Sequence, residues 1–204
     1  LNHALQSHGM LFGPETSTAN RAMIGGMVGN NSCGSNSLVY GSTREHLIAC
    51  KGYLSDGSEV TFNALSPDAF EAKCQGTNLE AAIYQKCRTL LGDEANRALI
   101  TKHYPKRSIP RRNTGYALDL LMDAEVFDPA SDKPFNLCKL IAGSEGTLFF
   151  GTEFELGCDP LPPQHSALLC VHFATIEHTA LNLLRKAPSK KSITMKRHSA
   201  AWDD

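Results

Sequence analysis

The stretch Gly13-Pro14-Glu15-Thr16-Ser17-Thr18-Ala19-Asn20-Arg21-Ala22-Met23-Ile24-Gly25-Gly26-Met27-Val28-Gly29-Asn30-Asn31-Ser32-Cys33-Gly34, completed by Val39-Tyr40-Gly41, constrains this chain more than any other. It has almost no amphipathic period, so residues 13–43 read as loop, and regular structure is expected only beyond them. Two adjacent glycines, with Asn31 and Gly34 close behind, let a backbone approach a flat ligand without Cβ obstruction. Backbone amides and short polar side chains then meet the ligand's polar edges. A glycine-rich turn serving the fold alone is an equally good reading of Gly25-Gly26 by themselves. A phosphate-cradling loop requires a lysine beside its last glycine, and this stretch contains none. A dinucleotide fingerprint follows an apolar strand and opens a helix, and neither flank has that pattern.

From His46 the pattern becomes regular. Leu47–Leu54 reads as a strand, Ser55-Asp56-Gly57-Ser58 as a turn and Glu59–Phe62 as the returning strand, a hairpin that needs a larger sheet to rest on. Asn78 is placed to cap a helix carrying Leu79, Ala82, Ile83, Cys87 and Leu90 at helical spacing, with Gly92 as its stop. A second helix covers about 93–102. The basic cluster Lys102 to Arg112, interrupted by Pro105 and Pro110, is loop. Helical spacing returns over Tyr116–Met122, Asn136 caps a short helix ended by Gly143, and 148–156 reads as a strand. Pro160, Pro162 and Pro163 mark a linker. Beyond it a strand over 166–173 and a helix over 176–186 open another domain, followed by a basic, poorly patterned end.

The 204 residues allow one or two domains, and a net charge of −1 gives no electrostatic footprint for nucleic acid or an anionic surface. No apolar run approaches the roughly 18–20 residues of a membrane span, and the first residues lack a signal-peptide pattern. Seven cysteines, an odd number without a C-x-x-C pair, argue for reduced thiols in a cytoplasmic protein, with peripheral attachment to the inner membrane left open. His46, His103, His165, His172, His178 and His198 show no metal-ligand spacing, so no metal site is expected.

The glycine stretch resembles the flavin-contacting segment of vanillyl-alcohol-oxidase-type FAD-binding domains, in the D-lactate/glycolate dehydrogenase-like branch. That pattern runs Pro, several residues, Ile-Gly-Gly-Met, Asn, Gly and then Tyr-Gly. Two later blocks agree, Arg111-Arg112-Asn113-Thr114-Gly115-Tyr116-Ala117-Leu118-Asp119 and Gly143-Ser144-Glu145-Gly146-Thr147-Leu148, in the family's order over about 13–156. The wording Ile109-Pro110-Arg111-Arg112-Asn113-Thr114 most resembles large bacterial members that fuse this domain to an iron–sulfur region and act on D-2-hydroxy acids.

The resemblance implies an α+β fold. Residues 1–158 form the second subdomain of the FAD-binding domain, a mixed or antiparallel sheet with flanking helices, and 165–204 begin a cap domain. It places Pro14, Ser17, Gly25, Gly26, Asn31, Gly34, Tyr40, Gly41, Phe149 and Phe150 at flavin-contacting positions. Phe149 departs from the small residue that relatives show there. Arg111 or Arg112, with Thr114, matches the substrate-carboxylate site, where a guanidinium binds bidentately and keeps its charge. Glu145 reads as a turn carboxylate holding backbone amides rather than as a catalytic group.

The implied activity is FAD-dependent oxidation of a D-2-hydroxy acid (D-lactate, glycolate or D-2-hydroxyglutarate class) to the 2-oxo acid, with hydride passing to flavin N5. The implied partners are that small molecule and the other parts of the enzyme, including an iron–sulfur region. The pyrophosphate-binding loop and the later metal and base histidines of the family lie outside these residues, so this chain alone is expected to hold FAD weakly and turn over little. A sugar-alcohol oxidase or ether-lipid synthase on the same fold, and a flavin-free interaction module, are the alternatives.

Overall fold

The computed structural model describes residues 1–109, 111–112, 115–163 and Thr175. The chain enters through a short helix α1 (Asn2–Gln6) and strand β1 (Met10–Leu11), then runs through the glycine-rich segment. That segment is not loop throughout, as its pattern predicts. Ile24–Gly29 forms helix α2, with Gly25 and Gly26 inside it. Local propensity opposes a helix here by roughly 1 kcal/mol per glycine. Burial of Met27 and Val28, and the bonds Ser32 N to the Met27 carbonyl and Gly143 N to the Val28 carbonyl, override it. One-turn helices α3 (Ser37–Tyr40) and α4 (Thr43–His46) follow, α4 closed by a capping box between Ser42 and Glu45.

The predicted hairpin is present as β2 (Leu47–Tyr53) and β3 (Glu59–Phe62), with Cys50 opposite Phe62. Helices α5 (Pro67–Lys73), α6 (Leu79–Gly92) and α7 (Glu94–His103) cover it. Ser66, Asn78 and Asp93 each accept a hydrogen bond from a first-turn amide, which is why the three begin where they do. The helix expected over 116–122 shortens to α8 (Leu118–Leu121). The next, α9 (Cys138–Ile141), starts after Asn136, whose Oδ1 accepts from Cys138 N at 2.9 Å.

Strand β4 (Phe150–Leu156) returns about a hundred residues later to the free edge of β2, giving an antiparallel sheet ordered β3-β2-β4. Its register shifts between Lys51 and Gly52, where a Cβ on Gly52 would stand 2.1 Å from the Phe150 carbonyl oxygen. Pro160 does not act as linker alone: β5 (Asp159–Pro160) pairs with Leu11 and Met10. The expected strand over 166–173, the helix over 176–186 and the cap region lie outside the described residues.

The core packs Phe62, Phe70, Tyr84 and Phe135 between the sheet and α5–α6, with Phe70 and Phe135 ring centroids 4.7 Å apart. The sheet's other contacts position the site: α9 lies against β2, and α2 against β4. Among the described residues no helix is long and apolar enough to cross a membrane, and no cluster of His, Cys, Asp or Glu is arranged for a metal.

Candidate cofactor groove and anion cleft

Helix α2 is one wall of an open groove of about 330 Å³, with Gly25, Gly26, Val28 and Gly29 on its lining. The opposite wall is the turn Gly143–Thr147 and the start of β4, contributing Ser144, Glu145, Gly146, Phe149, Phe150 and Phe154. Gly143 N donates to the Val28 carbonyl and Glu145 N to the Gly29 carbonyl, so the turn is bolted to the end of α2. Three positive-φ residues within four positions make this approach: Gly143 at φ 93°, Glu145 at 53° and Gly146 at 74°. The Glu145 carboxylate makes no hydrogen bond or ion pair among the described residues. It therefore does not hold backbone amides, as the sequence pattern predicts, and projects exposed at the groove rim. Phe149 is buried against Phe62, ring centroids 5.4 Å apart, whereas Phe150 is 72% exposed.

The two helical glycines have free space where a Cβ would stand. A Cβ on Gly26 would have nothing within 4 Å, and one on Gly25 would make only ordinary contact with the Phe154 ring at 3.6 Å. Neither has the positive φ that a side chain would strain. The fold does not need glycine at either position, so the bare backbone is left facing open space in the groove.

A second, smaller cleft of about 70 Å³ lies on the other side of the Asn31–Arg44 region, lined by Cys33, Ser37, Gly41, Ser42, Arg44, Glu45, Arg111, Arg112, Asp119 and Leu120. Arg112 donates to Asp119 Oδ2 at 2.5 Å, and Asp119 is buried. Arg111 is exposed and makes no such pair among the described residues. Arg44, on the cleft lining, is only 3% exposed. Its Nε and Nη2 donate to the Ala142 carbonyl, Nη2 also donates to the Gly115 carbonyl at 2.7 Å, and its own amide donates to Asn31 Oδ1 at 2.8 Å. Burial pulls the Arg44 guanidinium below its ordinary pKa, opposed by Glu45 and Asp119. Burial likewise lowers the Lys139 ammonium, which donates to the Arg44 carbonyl.

The residues singled out from the sequence are thus divided. Gly25, Gly26, Phe149 and Phe150 line the groove, and Gly41, Arg111 and Arg112 line the cleft. Asn31, in the left-handed region at φ 47°, is buried and accepts from Ser42 Oγ and Arg44 N, holding the segment between them. Gly34 is packed so closely that a Cβ would stand 1.5 Å from the Glu15 carbonyl oxygen, and Tyr40 lies against Gly13. Pro14 is fully buried and Ser17 is exposed, both outside the two cavities. Thr114 lies outside the described residues. Arg44 carried no signal of a site in the sequence, because Thr-Arg-Glu-His reads as an ordinary polar helix turn and only the fold buries its arginine; Asp119 ended the arginine block but was given no role.

Residues 1–63, which include α2 and the whole glycine segment, match the family model for the FAD binding domain. The chain carries part of an FAD binding domain. It is 32% identical over 175 residues to a D-2-hydroxyglutarate dehydrogenase of Pseudomonas putida, a match covering 86% of this chain and 16% of that protein. Proteins of the same name from Haemophilus influenzae (32% over 195 residues, 92% and 17%) and Escherichia coli (34% over 166 residues, 79% and 15%) are similar to it as well. The chain therefore spans about a sixth of the length of these curated relatives. The helix–antiparallel-sheet architecture accords with that domain, and the FAD binding domain match extends across β2 and β3 to the end of the hairpin.

Proposed function

We propose that this chain forms one wall of the FAD site in a dehydrogenase that oxidises a D-2-hydroxy acid, of the D-lactate, glycolate or D-2-hydroxyglutarate class, to the 2-oxo acid. In this reading residues 1–158 are the second subdomain of the FAD-binding domain and 165–204 begin a cap. The rest of the polypeptide, including an iron–sulfur region, completes the enzyme. The free thiols among the described cysteines accord with a cytoplasmic setting.

The observation that carries the proposal is the Gly25–Gly26 face of α2, two glycines that the fold itself does not demand, lining a groove wide enough for a planar ring system. When bound, FAD supplies the acceptor for the hydrogen and the two electrons leaving the hydroxy acid. The chain's own residues bind and orient. Gly25 and Gly26 offer bare backbone, Phe149 fixes the groove floor through its contact with Phe62, and Phe150 offers an exposed ring at the lip. Asn31 holds the backbone between groove and cleft; Pro14, Gly34, Tyr40 and Gly41 shape the loops that frame it, and Ser17 stands exposed on the first of them. Between the two arginines, Arg112 is already neutralised by Asp119, which leaves Arg111 as the partner for the substrate carboxylate, with Thr114 beside it in sequence.

The test is made on the full-length protein. Its absorbance should show bound flavin that D-2-hydroxy acids bleach anaerobically. Arg111→Ala should lower kcat/KM by roughly 30- to 1,000-fold, the loss of about 2–4 kcal/mol from a charge-assisted pair, with normal flavin content. A colourless protein, or unaltered kinetics in both Arg111→Ala and Arg112→Ala, would sink this assignment.

A further inference from the structure

The cleft beside Arg111 has a second cationic donor that the sequence pattern does not point to. Of the nitrogens of the Arg44 guanidinium, Nε and Nη2 are taken by the carbonyls of Ala142 and Gly115, and Nη1 makes no hydrogen bond among the described residues. No fully buried side-chain nitrogen or oxygen among the described residues lacks a partner. Nη1 is therefore the atom through which this otherwise sealed arginine reaches the cleft that it lines. A guanidinium held rigid by three bonds to backbone carbonyls, with one edge free, is preorganised and loses little rotamer freedom on gaining a ligand.

The charges around the cleft define what fits. Three guanidinium groups, Arg44, Arg111 and Arg112, face two carboxylates, Glu45 and Asp119, a surplus of one positive charge. Glu45 accepts from Ser42 N and Ser42 Oγ, and Asp119 from Arg112, so neither carboxylate is bonded to Arg44 Nη1, although the charges of both act on the guanidinium. A volume of about 70 Å³ suits a carboxylate and a water or two, not a whole substrate. We propose that this cleft seats a single carboxylate of the substrate between Arg44 Nη1 and Arg111, making Arg44 a substrate-binding residue. The proposal rests on the hydroxy-acid reading above and adds a second arginine to it.

Cys33, half-buried on the cleft wall, is the reporter. The full-length, flavin-loaded protein is alkylated briefly with iodoacetate, an anion, or iodoacetamide, its neutral counterpart, and labelling is read by peptide mass spectrometry. Cys158, also half-buried and outside the cleft, is the internal reference. The iodoacetate-to-iodoacetamide ratio should be about tenfold higher at Cys33 than at Cys158, because a cationic cleft concentrates anions. A D-2-hydroxy acid should protect Cys33 and leave Cys158 unaffected. Arg44→Gln removes both the charge and Nη1. The Cys33 ratio should then fall toward that of Cys158, with KM rising about tenfold, kcat within about threefold, and flavin content unchanged.

A purely structural role for Arg44 would lower Tm and flavin content together while the Cys33 ratio held, and that pattern would overturn the proposal. Equal ratios at Cys33 and Cys158 in the unsubstituted protein would also overturn it. Should Arg44→Gln fail to fold, Cys33→Asp places a carboxylate in the cleft with Arg44 intact. KM should then rise by at least about tenfold, and an unchanged KM counts against the proposal. If no 2-hydroxy acid reduces the flavin while Cys33 keeps its Arg44-dependent preference for iodoacetate, the hydroxy-acid reading fails and the anion cleft stands.

Discussion

Gly26 and Gly34 are the same residue type under opposite demands, and substitution separates them. At Gly34 the backbone of Glu15 occupies the place of a Cβ, 1.5 Å from its carbonyl oxygen, so a methyl group has nowhere to go. Gly34→Ala should cost on the order of 3 kcal/mol or more, read as a lowered urea midpoint. At Gly26 nothing stands within 4 Å and φ is ordinary, in the middle of a helix. Gly26→Ala should therefore stabilise the flavin-free protein by about 0.5–1 kcal/mol. The same methyl enters the groove, so flavin content of the full-length protein should fall. Gained stability with undiminished flavin would remove Gly26 from the cofactor site. Both glycines stood out in the sequence, but their different reasons did not, because a Cβ clash is a property of the chain passing alongside.

At the scale of elements, the short ribbon β1–β5 is tied to the body of the fold at His46, by a backbone bond from Gly157 N to the His46 carbonyl and by a side-chain pair with Asp159. His46 Nε2 lies 2.8 Å from Asp159 Oδ2, and His46 Nδ1 lies 3.0 Å from the Ser42 carbonyl oxygen. Phe12 packs edge-on against the same ring at 5.4 Å. With Asp159 28% exposed, solvent screening reduces the value of the pair to about 1 kcal/mol. Asp159→Ala should release the ribbon rather than unfold the domain. Amide exchange should accelerate across 9–12 and 157–161 while β2 keeps its protection. Faster exchange throughout β2 would mean that the ribbon is integral to the core. The hairpin β2–β3 and the helices α6 and α7 were legible beforehand because turn, cap and period are all local. The ribbon was not, since its two strands are two residues each and nearly 150 residues apart.

For the whole molecule, the buried protonated groups of the core set the alkaline limit. Burial pushes the Cys87 thiol up to about 11 from 9.0 and raises the Tyr84 phenol. The Cys50 thiol is raised by its contact with Cys138, 3.7 Å away, and by burial. Between about pH 9 and 11 the unfolded chain has released the Cys87 proton and the native state has kept it, so the native state binds more protons there. This contribution to stability is complete below about 9 and is lost as pH rises through about 11. The urea midpoint should be lower at about pH 10.5 than at about pH 8, and Cys87→Ala should reduce the difference. A midpoint indifferent to pH over this window would contradict the burial of these groups.

Much of the molecule was written in local pattern. The glycine segment, the arginine loop and the Gly-Ser-Glu-Gly turn each read from neighbouring residues, and together they specified an FAD-binding, α+β chain. Short-range chemistry suffices for that, since capping, turn formation and period act over a few residues. Tertiary structure decided the rest. It made α2 a helix against the propensity of its own glycines, because burying Met27 and Val28 outweighs them. It brought β4 to β2 across the chain, and with it the groove between α2 and the 143–147 turn. It paired Arg112 with Asp119 and left Arg111 without an ion pair among the described residues, a distinction between adjacent arginines that spacing does not encode. And it buried Arg44 with one edge open to the cleft, because the carbonyls that hold the guanidinium belong to residues about 70 and 100 positions away.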